Sequence, residues 1–193
     1  MKGKFLVLAQ KGNLKLALAV CLTLTFIVCF VPVSYAATAK QIEAGADAAL
    51  KLFYERVKGG KELLQKAKGV LILPGVFKAG FGVGAEYGEG ALRVGGKTVE
   101  YYSIAAGSIG FQIGAQKKNV ILAFMDDGAL KKFRESSGWK AGVDGSVAAI
   151  NVGAGASVDT VKMNDPIISF IFGQRGLMAN ATIEGAKFTK LMR

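Results

Sequence analysis

The chemistry open to this chain is narrow. Its 193 residues include no histidine, so no imidazole can act as base, nucleophile partner or metal ligand. The two cysteines, Cys21 and Cys29, both sit in an apolar run near the start. If that run is removed, neither thiolate catalysis nor cysteine-bound zinc nor a disulfide remains. What is left is carboxylates. Glu86, Glu89, Asp144, Asp159 and Glu184 are the candidates, and two that converge suffice for glycoside hydrolysis. Nothing in their spacing brings two of them together, and a cation beside Glu86 or Glu184 would explain either one structurally. The glycines of Gly80–Gly84 spell GxGxG along an alternating stretch, not a dinucleotide fingerprint at a strand-to-helix turn, and no Gly-Lys-Ser/Thr phosphate loop occurs. The expectation is a protein that is not an enzyme, with no catalytic residue, metal or cofactor.

Binding chemistry is better supplied. The formal charge is +11. Residues 1–36 carry four lysines and no acid, so their removal leaves +7 on the remainder. Such a balance favours an anionic partner: a membrane surface, nucleic acid or an acidic glycan. Single-strand binders interleave basic residues with aromatics on which bases stack. Tyr54, Tyr87, Tyr101, Tyr102 and Trp139 are not so interleaved, and nucleic acid is set aside.

The elements that must position these residues can be read in order. Lys2, Lys4, Lys11 and Lys15 precede an apolar run over Leu16–Val31, Pro32 breaks it, and Ser34-Tyr35-Ala36 offers small residues to a signal peptidase. This predicts a signal peptide over 1–36, cleaved after Ala36, with an uncleaved membrane anchor as the alternative. Localisation would then be periplasmic or secreted. Thr38 to Lys58 reads as a helix, with Thr38 as N-cap and Ile42, Ala46, Ala49, Leu50, Phe53 and Val57 as its apolar stripe. A second helix spans Lys61–Lys68. From Ala79 the period becomes two: Ala79, Phe81, Val83, Ala85 and Tyr87 alternate with Gly80, Gly82, Gly84 and Gly88. The apolar face is expected to pack, and the bare one to permit a strong bend or a close approach. The same device recurs at Ile109, Phe111, Ile113 and Ala115. Gly95-Gly96 reads as a hairpin turn, Lys117-Lys118-Asn119 and Gly173-Gln174-Arg175-Gly176 as turns, and Gly128–Ser136 as a helix capped by Asp126-Asp127. Lys140–Val161 suggests two strands around a Gly153–Gly155 bend. Ile167–Phe172 reads as a buried strand and Leu177–Ile183 as the last one. The fold class is α+β: N-terminal helices over 38–68, packed on a strongly curled, mostly antiparallel sheet over 69–193, barrel- or sandwich-like, in one domain.

Three blocks carry a resemblance. KGVLILPGVFKAGFGVGAEYGEG, GSIGFQIGAQ and SFIFGQRGLMANATIEGAKFTKL resemble, in order from Lys68 onward, the SYLF domain, also called the lipid-binding or actin-binding SYLF family. One departure is Asn151-Val152-Gly153, where the family usually has a Gly-Pro turn. The resemblance implies association with acidic phospholipid and, in fungal members, with actin; for an exported bacterial member, actin is not expected. It turns the charge reading toward a peripheral binder of anionic phospholipid or another acidic envelope component. The candidate lipid-binding residues are Lys51, Lys58, Lys61, Lys78, Arg175, Lys187 and Lys190, with Arg175 at the basic position of the family's C-terminal turn. The alternative is a structural or small apolar ligand-carrying β domain. Exposed apolar residues beside a basic surface would favour the first, and a closed cavity the second.

Overall fold

The computed structural model describes residues 37–153, 165–176 and 183–193, and for 109–113 the backbone only. The expected leader over 1–36, the Gly153–Gly155 bend with the strand after it, and residues 177–182 of the expected last strand lie outside the described residues, as does Asp159. Ala37–Arg193 forms one compact unit.

Helix α1 (Ala39–Arg56) starts at Thr38, whose hydroxyl accepts from Gln41 N while Gln41 Oε1 accepts from Thr38 N, a reciprocal cap that satisfies two otherwise orphaned donors. Helix α2 (Gly60–Lys66) follows a left-handed Gly59. Two very long strands come next, β1 (Gly69–Val94) and β2 (Lys97–Phe124), joined at Gly95-Gly96 with φ of 58° and 80°, values that suit a tight hairpin turn. Helix α3 (Asp127–Glu135) is capped by Asp126, whose carboxylate accepts from Ala129 N at 2.8 Å. Strands β3 (Trp139–Lys140), β4 (Ala148–Asn151), β5 (Ile167–Gly176) and β6 (Lys187–Leu191) complete the described chain. The sheet runs β3-β6-β2-β5-β4 with β1 on the other side of β2, and every pairing is antiparallel except β4 with β5. The α+β expectation holds.

Three expected breaks are absent. Lys117-Lys118-Asn119 does not turn but continues β2, because Lys118 faces inward and is neutralised there. Gly173 to Gly176 does not end its strand either; a left-handed Gly173 (φ 64°) absorbs a one-residue bulge, and pairing resumes at Lys117–Arg175. The sequence also reads Ala91–Val94 as a short strand of its own before Gly95-Gly96, yet it continues the strand that starts at Gly69. Strand β6 was not foreseen.

The sheet has two cores. On one face, Ile42, Ala46, Phe53, Leu63 and Leu64 of the two N-terminal helices cover Ile72, Ala91, Ile121 and Phe170. Phe53 meets Phe170 edge-on with ring centroids 5.0 Å apart. On the other face Phe133 of α3 sits among Tyr102, Phe124, Trp139 and Phe188, at centroid separations of 4.7 to 5.9 Å.

Between its two arms, β1 doubles back on itself. A Cβ on Gly80 would lie 2.5 Å from Gly84 Cα, one on Gly88 would lie 2.7 Å from Val76 Cγ2, and one on Gly90 would overlap the Ile72 carbonyl oxygen. These contacts nest around Gly82, which takes φ 72° and opposes the stretch of β2 between Ile109 and Ile113. The glycine side is therefore the inside of the bend, where only a backbone without side chains fits.

Candidate functional site

A ribbon that folds toward its glycine face must carry its side chains on the convex one. That inverts the expectation that Ala79 to Tyr87 pack. Phe77 is 52% exposed, Phe81 79%, Val83 67% and Tyr87 50%. The same outer face is covered by α1 and α2 at its two ends, over Ile72 on one arm and Ala91 on the other, and among the described residues it is bare between them.

Cross-strand register places cations at both ends of the bare face, since residues directly opposed on antiparallel strands share a side. At one end Phe77 pairs with Lys117, and Lys117 with Arg175; at the other, Tyr87 pairs with Ala105, Ala105 with Lys187, and Lys187 with Lys140. All four cations are exposed. The arrangement is an apolar ridge with a positive row at either end.

Inside the bend the chemistry is different. Lys118 Nζ lies 2.9 Å from both carboxylate oxygens of Glu86, and the side chains are 1% and 4% exposed. Burying either ion alone would be costly, so they are sustained as a pair. Gln116 is buried beside them in sequence, and so is Lys78 (8% exposed), opposite Gln116 in register. The expectation of Lys78 as a surface lipid contact is corrected: its strand position points it into the fold.

The other expected basic residues divide. Arg175 and Lys187 belong to the rows just described. Lys51, Lys58 and Lys61 are exposed on the helical layer, outside those rows. Lys190 is one residue out of phase with the outer face: it pairs with Tyr102, and its ammonium contacts Glu100 at 2.7 Å. Glu100 also accepts from Arg134 and Tyr102. Burial pushes the Glu100 carboxyl up, but the hydrogen bonds from Arg134, Lys190 and Tyr102 outweigh it and hold the group down at about 2. Lys190 is a structural partner there.

Three of the candidate carboxylates are held by separate partners. Glu86 is bound to Lys118, Glu89 to Arg193, and Asp144 accepts from Lys140 N at 2.6 Å. Among the described residues, no group of acidic side chains is placed to hold a metal ion. Two clefts of about 430 and 420 Å³ are lined by Glu100, Asp127, Lys131 and Arg134, and by the loop Ala141–Val147 with Glu184. Both are open to solvent, with linings that mix polar and apolar groups.

The residues missed from sequence are Phe81, Val83 and Tyr87, read as core, Lys117, read as a turn, and Phe77 and Lys140, given no role. The signal was available: strict alternation with glycine leaves only one side able to face inward through a tight bend.

Residues 105–191 match the family model described as Ysc84, Las17-binding protein actin regulator, in agreement with the SYLF resemblance. That family is associated with lipid and actin binding. No curated protein matches the chain.

Proposed function

Proceeding from a SYLF-family match that spans residues 105–191, we propose that the protein is a non-enzymatic, peripheral binder of anionic phospholipid, acting in the cell envelope after loss of residues 1–36. The observation that supports this is the bare apolar ridge Phe77–Phe81–Val83–Tyr87 with Lys117 and Arg175 at one end and Lys187 and Lys140 at the other. Exposed apolar side chains grouped this way mark an interaction surface. Near an anionic leaflet each Lys or Arg contributes on the order of 1 kcal/mol, so four give about 4, corresponding to a Kd of about 1 mM. Inserting Phe81 and Val83 adds roughly 1.5–3 kcal/mol each, which brings affinity toward the micromolar range. Neither contribution holds the protein alone.

Co-sedimentation with vesicles tests it. The protein is expected to bind phosphatidylglycerol or cardiolipin vesicles, to ignore phosphatidylcholine, and to release as salt shortens the screening length. Phe81→Ser with Val83→Ser, or Lys117→Glu with Arg175→Glu, should each reduce binding at least tenfold, while Lys→Arg at the same places is neutral because a diffuse field needs charge and not geometry. Equal binding to neutral and anionic vesicles, or to neither at low salt, overturns the proposal. Filamentous actin in a parallel pelleting arm checks the activity in the family description, which this surface chemistry does not require.

A further inference from the structure

One carboxylate lies where the two ends of the compact unit meet. Glu89, on β1 just past the bare ridge, is largely buried, its side chain 8% exposed. Arg193 Nη2 donates to both of its oxygens at 2.9 Å, and the Tyr87 hydroxyl donates to Oε1 at 2.7 Å. Its third donor is the main-chain nitrogen of Ala37, 3.2 Å from Oε2. Ala37 also packs against the helix-side core, so this nitrogen is held in place. It is the nitrogen that cleavage after Ala36 would convert from an amide into a free ammonium.

We propose that Glu89 is a receptor for the new α-amine: hydrolysis of the Ala36–Ala37 bond, with water supplying the carboxylate oxygen to Ala36 and protons to Ala37, leaves a cation seated on Glu89 opposite Arg193. Processing thereby fastens the start of α1 to β1. The local charges favour such an acceptor. An ammonium one residue before the Thr38 cap lies at the positive end of the α1 dipole, where a cation is disfavoured. The charged groups facing it are Glu89 and Arg193, with Lys40 in the first turn of α1. The Tyr87 phenol, raised to about 12 by burial and by its bond to the Glu89 carboxylate, stays neutral through the range in which an amine titrates. The carboxylate thus sits between two fixed cations and offsets both.

The sign of the pH dependence follows. An ammonium stabilised by Glu89 has its folded pKa raised above the roughly 7.7–8.0 of a free α-amine. Its contribution is complete below that value and disappears as pH rises through the folded pKa.

The experiment uses the full chain secreted from a processing-competent host, beside the same chain with Gly-Ser inserted between Ala36 and Ala37. Intact mass identifies the first residue of each. The protein that begins at Ala37 is expected to melt about 2–4 °C higher at about pH 6.5 than the Gly-Ser form, and the gap should close near pH 10. Glu89→Gln should lower both melting temperatures and erase the gap. If that variant does not fold, the titration of the α-amine followed by NMR on the unsubstituted protein decides the matter. A value above the unperturbed range supports the clasp. An unperturbed value with equal melting, or a first residue other than Ala37, overturns it.

Discussion

At the base of the β1–β2 ribbon, Leu71, Ile72 and Leu73 are all fully buried, because α3 lies over one face and α1 with α2 over the other. A few residues further on, at the bend, Glu86 and Gly88 are buried while Phe81 and Val83 stand in solvent. The chain alternates with period two in both regions. The difference lies in what each face meets: at the base two layers of side chains press on the sheet, whereas at the bend the sheet presses on itself. Alternation tells which residues share a side, and the size of the residues on that side tells whether it can be concave.

The strongest way to break this comparison is to put a side chain inside the bend. Gly90→Val would drive a branched Cβ into the Ile72 carbonyl and against Leu73 Cα, at 2.8 Å. Both neighbours are backbone of a paired strand and cannot give way. The expected loss exceeds about 5 kcal/mol, the range in which small domains cease to fold, and circular dichroism with a melting curve reads it directly. Gly82→Ala is the control: its Cβ would meet nothing within 4 Å, so only the left-handed φ of 72° is penalised, at roughly 1–2 kcal/mol. Equal losses at both positions would mean that the two arms of β1 are not in contact.

The second contrast sets one phenylalanine against another. Phe53→Ala empties a site between α1 and Phe170 and should cost about 3–5 kcal/mol in chemical denaturation. Phe81→Ser is expected within about 0.5 kcal/mol of the parent, or slightly stabilising, while weakening vesicle binding about tenfold or more. A large stability loss at Phe81 would place it in a core.

A smaller effect sharpens the base. Glu100 has its folded pKa at about 2, below its unfolded value near 4.3, so its contribution is present above about pH 4.3 and is lost as pH falls through about 2. Glu100→Gln should lower stability by about 1–2 kcal/mol at neutral pH, a modest figure because Arg134 and Lys190 remain partly solvated. The difference from the parent should shrink between pH 4.3 and 2. An unchanged acid limb would remove Glu100 from the network.

Much of this architecture was legible in the residues. Thr38 and Asp126 are caps whose side chains can reach the next turn's amides, the stripe Ile42–Val57 has one possible inside, and Gly95-Gly96 has one economical use. Local rules decided each of these. What was not legible depended on distant partners. Lys118 looked like a turn lysine because the carboxylate that lets it be buried is Glu86, thirty-two residues away in sequence. Gly173 looked like an ending because a bulge and a turn use the same left-handed glycine. The placement of the C-terminal basic residues turned on parity: Lys187 and Lys190 are three apart, an odd spacing that puts them on opposite faces of β6.

The long pairing of β1 with β2 also sets an order of assembly. Its register starts at Val94–Lys97, next to the turn, and ends at Gly69–Phe124, so the ribbon can grow outward from Gly95-Gly96 by closing one small loop after another. Each such step carries little loop-closure entropy, which is what makes local topologies fast. Strands β5 and β6, by contrast, dock on opposite halves of β2 and need that edge to exist first. A chain built this way finishes its hairpin before its last residues have a surface to join, and the C-terminal strands close the fold.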